Sequence, residues 1–165
     1  MAIRPLVLFP DPRLRQAAEP VTCFDASLRT LADDLLETVR AAPGIGITAP
    51  HVGIPLRLVV LDLPEGDPVR VYVNPRLTWS GGPIRAHREG SISMPGVVED
   101  VERPAEVEVA YQALDGTPGT LKADGLLSVC LQHEIDQLDG LFWIQRLSRL
   151  KRDRLVKRFT KERSR

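Results

Sequence analysis

The stretch Leu126-Leu127-Ser128-Val129-Cys130-Leu131-Gln132-His133-Glu134-Ile135-Asp136-Gln137-Leu138 decides the fold. Its apolar residues at 126, 127, 130, 131 and 138 recur at helical spacing, so it reads as a largely buried central helix. Inside it, Gln132 to Gln137 nearly spells H-E-x-x-H. On a helix, that pattern places two imidazoles one turn apart to grip a metal ion. The glutamate then serves as general base on the bound water. Here Gln137 stands at the second imidazole position, so the pattern stops one ligand short.

Upstream of this helix the sequence reads as strands and turns. Ala105 to Leu114 alternates as a strand, Asp115-Gly116 signals a turn, and Gly119 to Ala123 pairs back as a hairpin. Leu56 to Leu63 is a β-branched and apolar run, hence a strand. Arg70 to Asn74 is another, ended by Pro75, and Leu77 to Trp79 a short third, turned by Ser80-Gly81-Gly82-Pro83. Near the start, Asp25 is placed to cap a helix whose apolar residues are Leu28, Leu31, Leu35, Leu36 and Val39. Ala41-Ala42-Pro43-Gly44 stops it, and a glycine-rich loop, Gly44–Gly53, follows. Downstream, Leu147 to Phe159 forms a final amphipathic helix with a charged face. The fold class is α+β: mostly antiparallel strands around the central helix, closed by a C-terminal helix.

At 165 residues, 43% hydrophobic and 27% charged, the chain suits one domain, residues 1–165, with one core. No apolar run approaches the ~20 residues of a membrane span. The apolar Leu6–Phe9 is too short for a signal h-region, and no small-residue cleavage site follows, so a cytoplasmic protein is expected. Cys23 and Cys130 sit in no CxxC pair and read as buried, reduced thiols. The zero net charge hides an asymmetry. Residues 146–165 carry ten Lys or Arg against two Asp or Glu, so the tail is net +8 and the rest net −8. A basic tail of that strength, within residues 147–165, points to a polyanionic partner or to a solvated helix face.

Three short segments carry the chemistry: Gly44-Ile45-Gly46-Ile47-Thr48-Ala49-Pro50-His51, Glu89-Gly90-Ser91-Ile92-Ser93, and Gln132-His133-Glu134-Ile135-Asp136-Gln137. Taken alone, the first fits many tight turns and the second says nothing. Together, in this order, they resemble the peptide deformylase signatures G-x-G-x-A-A-x-Q, E-G-C-x-S and H-E-x-x-H. The resemblance extends to Pro10-Asp11-Pro12-Arg13-Leu14-Arg15, Val73-Asn74-Pro75, Ala123-Asp124-Gly125-Leu126 and Asp139-Gly140-Leu141-Phe142, over residues 1 to about 160.

The resemblance implies a hydrolase that removes the N-formyl group from the initiator methionine of nascent chains, using iron, zinc or nickel. In the family a cysteine thiolate and two imidazoles hold the ion. The motif glutamate takes the proton from its water, and the motif glutamine with a backbone N–H stabilises the oxyanion. Carried over, His133 keeps one imidazole and Glu134 the base. Ser91 stands for the thiolate, Gln137 for the second imidazole and His51 for the oxyanion glutamine, while the backbone N–H of Ile92 survives any side-chain change. A serine hydroxyl is neutral and holds its proton tightly, and a carboxamide oxygen suits calcium better than a first-row metal. The expected cofactor is therefore none, or a weakly bound divalent metal.

The resemblance further implies that Glu89 and Arg103 form a bracing salt bridge. It also implies that Ile45, Gly46, His87, Leu126, Val129 and Cys130 line the substrate pocket, His87 standing where an apolar residue is usual. Four readings of the site follow. One is a degenerate site filled by hydrogen bonds among Ser91, His133 and Gln137. A second is a rebuilt metal site of His51, His133 and Glu134. In a third, Ser91 is a nucleophile with His133 or His51 as its base, acting on formyl- or acyl-peptides. The fourth is weak deformylation with a loosely held metal. The family's C-terminal helix also docks on the ribosome, which offers Arg149, Lys151, Arg152, Arg154, Lys157, Arg158 and Lys161 as phosphate contacts. The expected partners are peptide amino termini of nascent chains and the ribosome, not membranes or DNA.

Overall fold

The computed structural model describes residues 1–64 and 66–165. The first helix begins where its capping residue places it. The Asp25 carboxylate accepts the backbone N–H of Leu28, and α1 runs Ala26–Ala41. The central helix, α2, spans Gly125–Leu138, and α3 spans Arg149–Arg163. α3 outruns its expected end at Phe159 because Lys161 and Arg163 suit the negative end of the helix dipole.

Five strands form one antiparallel sheet in the order β1-β2-β3-β4-β5. They are β1, Gly46–Thr48; β2, Leu58–Leu61; β3, Arg70–Ser91; β4, Met94–Gln112; and β5, Pro118–Ala123. The reading of β3 as separate short pieces is corrected. The strand runs through Pro75 and through Ser80–Pro83, because the register slips between Val73 and Arg76 and again between Gly81 and Ile84. A bulged residue makes no ladder hydrogen bond, so a proline without an N–H is accommodated there. At the first slip Asn74 adopts φ 50°, and its side chain bonds both the backbone of Val21 and Gln112. The expected strand Ala105–Leu114 is the far half of β4. Its near half pairs with β3 across the two-residue turn Ile92-Ser93, where Ser91 faces Met94. The loop Gly44–Gly53 is also more ordered than expected, holding β1 and a single 3-10 turn over Ala49–Val52.

The sheet is covered on both faces at its centre. Leu58 and Val60 of β2 pack with Leu28, Leu31, Leu35 and Val39 of α1. Val59 and Leu61, pointing the other way, pack with Leu131, Ile135 and Leu138 of α2. Burial on both sides is why β2 reads as an unbroken apolar run rather than an alternating one. A third cluster brings Leu155 and Phe159 of α3 against Met94, Val97 and Val101 of β4, together with Phe142 and Trp143. Both cysteines are free. Cys130 is buried as expected, but Cys23 is exposed, because it lies outside the α1 packing face.

Candidate active site

The β3–β4 turn, the β1 segment and α2 converge on a cavity of about 560 Å³. Its wall contains Ile45, Gly46, His87, Leu126, Val129 and Cys130, the six positions expected to form a pocket. His51, Glu89, Ser91, Ile92, His133 and Glu134 line it too. His87 lies at its exposed rim. Gly46 is required by close approach: a Cβ there would stand 3.0 Å from both Glu134 Oε1 and Leu61 Cδ2.

The expected contact between Glu89 and Arg103 is present, and His133 joins it. Arg103 grips Glu89 with two bonds, Nε to Oε2 at 2.6 Å and Nη2 to Oε1 at 2.9 Å. His133 Nδ1 lies 2.8 Å from Glu89 Oε1, so α2 presents the ring with its other nitrogen towards the cavity. Burial disfavours the His133 cation, but the Glu89 bond and the carboxylates of Glu134 and Glu89 outweigh it and raise the imidazole above its ordinary value. Burial would likewise raise Glu89, yet its bonds to His133 and Arg103 hold it low. The network continues through Asp136, which accepts Arg103 Nη1 at 2.9 Å and Arg146 Nη2 at 2.7 Å. The sequence reading missed Asp136 and Arg146. Their signal was a carboxylate inside an otherwise apolar helix, which must find a cation if it is buried.

His51 and Glu134 are the most deeply enclosed polar groups of the wall. Burial pushes the His51 imidazole down to about 3, with the His133 charge adding to the effect. Burial pushes the Glu134 carboxyl up to about 7. His51 Nδ1 receives the backbone N–H of Thr48 at 2.9 Å, a partner the sequence reading did not identify.

The expected network among Ser91, His133 and Gln137 does not form. Ser91 Oγ accepts the backbone N–H of Ser93 across the turn, at 3.1 Å. Gln137 Nε2 donates to the backbone carbonyl of Leu14, at 2.7 Å, and the residue is absent from the cavity wall. A side-chain amide has two donors, and the carbonyls of the N-terminal segment offer a better partner than an imidazole already held by a carboxylate. Three donors at the family's ligand positions are therefore a turn-bound hydroxyl, one imidazole and an amide anchored elsewhere. Among the described residues, no three His, Cys, Asp or Glu side chains converge as a metal site. That includes His51, His133 and Glu134, the expected rebuilt set: His51 Nδ1 stands 3.9 Å from Glu134 Oε2 and His133 Nε2 3.9 Å from Glu134 Oε1. Of the side chains at positions 91, 133 and 137, only the His133 imidazole is an ordinary ligand for a transition-metal ion.

The sequence profile of the polypeptide deformylase family matches residues 3–153. This chain belongs to the peptide deformylase family. Two of its relatives come from one organism, Brucella suis biovar 1. A "peptide deformylase-like" protein is 61% identical over 98% of this chain and 98% of its own length. A "peptide deformylase" is 46% identical over 98% of this chain and 94% of its own length. The crystal structure of a peptide deformylase from Legionella pneumophila superposes with a TM-score of 0.90 at 39% identity, covering 99% of each chain. The α+β architecture with its closing helix is therefore the deformylase fold. No helix of the described residues is long and apolar enough to cross a membrane.

Proposed function

We propose that this chain is a deformylase-fold protein that holds peptide amino termini in its cavity and has lost metal-assisted removal of the N-formyl group. The observation that carries this reading is the placement of Gln137. Its amide is tied to Leu14 and outside the cavity, so the position that should supply the third ligand supplies none. Ser91 compounds the loss, because a neutral hydroxyl bound to its own turn cannot stand in for a thiolate. Even the loss of an outer partner of a metal ligand costs about 10–100-fold in affinity, and two direct ligands cost more. Glu134 keeps its place but has no acidified water to act on.

What survives is the enclosure. The wall is mainly apolar, and Glu89 keeps its buried contacts to Arg103 and His133. The greater identity to a "deformylase-like" relative than to a "deformylase" from the same organism supports the same division. The protein works, in this reading, in the cytoplasm on the amino termini of nascent chains. Ser91 as a nucleophile gains no support, since its hydroxyl bonds the Ser93 backbone rather than an imidazole.

Hydrolysis of N-formyl-Met-Ala-Ser, followed beside the Brucella suis deformylase, tests the loss. No turnover above the blank is expected. A rate within tenfold of a typical enzyme, ~10 per second, overturns the reading.

The exposed face of α3 favours a second, separable role. Arg154, Lys157 and Lys161 are exposed and none makes an ion pair among the described residues. Such a row suits ribosomal phosphates.

A further inference from the structure

A second cavity, of about 630 Å³, opens between the amino-terminal segment and α3, and it shares no wall residue with the first. Its floor is apolar. Phe9 stacks on Phe142 with ring centroids 5.6 Å apart, and Ile144 and Val156 extend the surface. On α3, Arg152, Asp153, Val156 and Lys157 fall at i, i+1, i+4 and i+5, one face of the helix, while Leu155 and Phe159 turn to the core. Beyond Lys157 the two sides are tied together, because Arg163 Nη1 donates to the backbone carbonyl of Phe9 at 3.1 Å.

The rim of this groove is cationic. Arg15, Arg152 and Lys157 line it, and none makes an ion pair among the described residues. Asp153, the acidic residue of the wall, faces Arg149 at 3.9 Å. Gln145 gives its side-chain oxygen to the backbone N–H of Phe142, which leaves its amide hydrogens as donors. Guanidinium, ammonium and amide donors therefore surround an apolar floor.

We propose that this groove docks an acidic peptide segment that carries one large apolar side chain. The apolar side chain seats on Phe9, Phe142, Ile144 and Val156, and the flanking carboxylates meet Arg15 and Arg152. A guanidinium offers a carboxylate two parallel donors. Exposed ion pairs alone contribute little, so the anchor on the floor supplies the affinity and the charges steer and orient. Half of the floor is aliphatic and Phe142 covers one face of Phe9, which suits an apolar side chain better than a stacked nucleobase. Arg154 and Lys161 lie outside the groove wall. The site stands apart from the reading of the first cavity.

The test measures fluorescence anisotropy of labelled peptides with the full chain at low salt: Glu-Asp-Phe-Glu-Asp, the same peptide with serine for phenylalanine, and Lys-Lys-Phe-Lys-Lys. The first is expected to bind ~10-fold more tightly than the second, a difference of ~1.4 kcal/mol that burying one phenylalanine side chain supplies. The basic peptide is expected not to bind. Arg15→Gln with Arg152→Gln should weaken the first peptide by ~10-fold or more, while Arg154→Gln with Lys161→Gln stays within about twofold. Because Arg152 is half-buried and its loss can disturb α3, a measurement on the unaltered protein stands beside the variants. The carbon-13 methyl signal of Ile144 is expected to move with the first peptide, and that of Ile45, in the first cavity, to stay. Equal binding of the phenylalanine and serine peptides, binding untouched by the loss of Arg15 and Arg152, or movement of Ile45 in place of Ile144 overturns the inference. A single-stranded oligouridylate that displaces the peptide and weakens equally in the Arg15 and Arg152 variant would make the groove a phosphate site, which overturns it as well.

Discussion

A thiol at position 91 and an imidazole at position 137 are each one substitution away from the residues this chain carries. The scaffold around them is held by bonds that do not involve either side chain: Glu89 to Arg103 and His133. Ser91→Cys with Gln137→His is therefore expected to bind one iron, zinc or nickel ion per chain. A histidine at 137 can keep the bond to Leu14 through one nitrogen while the other turns inward, the arrangement metal-bound imidazoles ordinarily use. Elemental analysis of the folded double variant checks this, and a folded variant without metal means the surroundings have drifted with the ligands. A second residue-scale expectation concerns the thiols. Burial pushes Cys130 up to about 12, so it stays protonated at pH 8, whereas Cys23 is exposed. Iodoacetamide should modify Cys23 first and Cys130 ~10²-fold more slowly or less, as read by mass spectrometry of tryptic peptides. At this scale the sequence was legible where a residue type names its chemistry, as at His133 and Glu134. It was silent where orientation decides, as at Gln137, whose partner lies 123 residues away, and at His51, whose ring is held by the Thr48 backbone.

Elements meet at the buried charges. Arg103 on β4 joins Glu89 on β3 to Asp136 on α2, and Asp136 joins Arg146 just before α3. Arg103→Met leaves Glu89 without a full countercharge at 6% exposure. Breaking one side of such a pair costs about 3–5 kcal/mol, so the unfolding free energy should fall by that amount, read as a lower urea midpoint with the slope of the transition unchanged. An unchanged midpoint would show that Arg103 is incidental to the joint. The helices α1 and α2 were legible because burial on one face writes a 3.6-residue period into the sequence. The long β3–β4 hairpin was not. Residues 82–88 of β3 are exposed on both faces and interrupted by bulges, so no alternation records them, and Pro75 and Pro83 read as stops where bulges absorb them.

The whole molecule separates its two charged regions. The cationic tail is a packed helix: Leu155 and Phe159 bury against β4 while the charges face outward. Arg154, Lys157 and Lys161 changed together to Gln should leave the melting temperature within about 5 °C, because each exposed substitution stays within ~0.5 kcal/mol. Any association with ribosomes that weakens with salt should disappear in that variant, measured by co-sedimentation at 50 and 200 mM salt. Association that persists in the variant would place the contact elsewhere. At this scale the family resemblance carried the fold to nearly its full length, since three remote segments become one cavity only when the chain is folded. Composition and periodicity alone reach the α+β class and stop short of the cavity.

The central claim is that the cavity is built without a catalytic metal ion. Elemental analysis of the unaltered protein, expressed in medium containing iron, nickel and zinc and purified without chelator or affinity tag, tests it most directly. The account predicts far less than one transition-metal ion per chain. One ion per chain, lost on changing His133 to Ala, would contradict it.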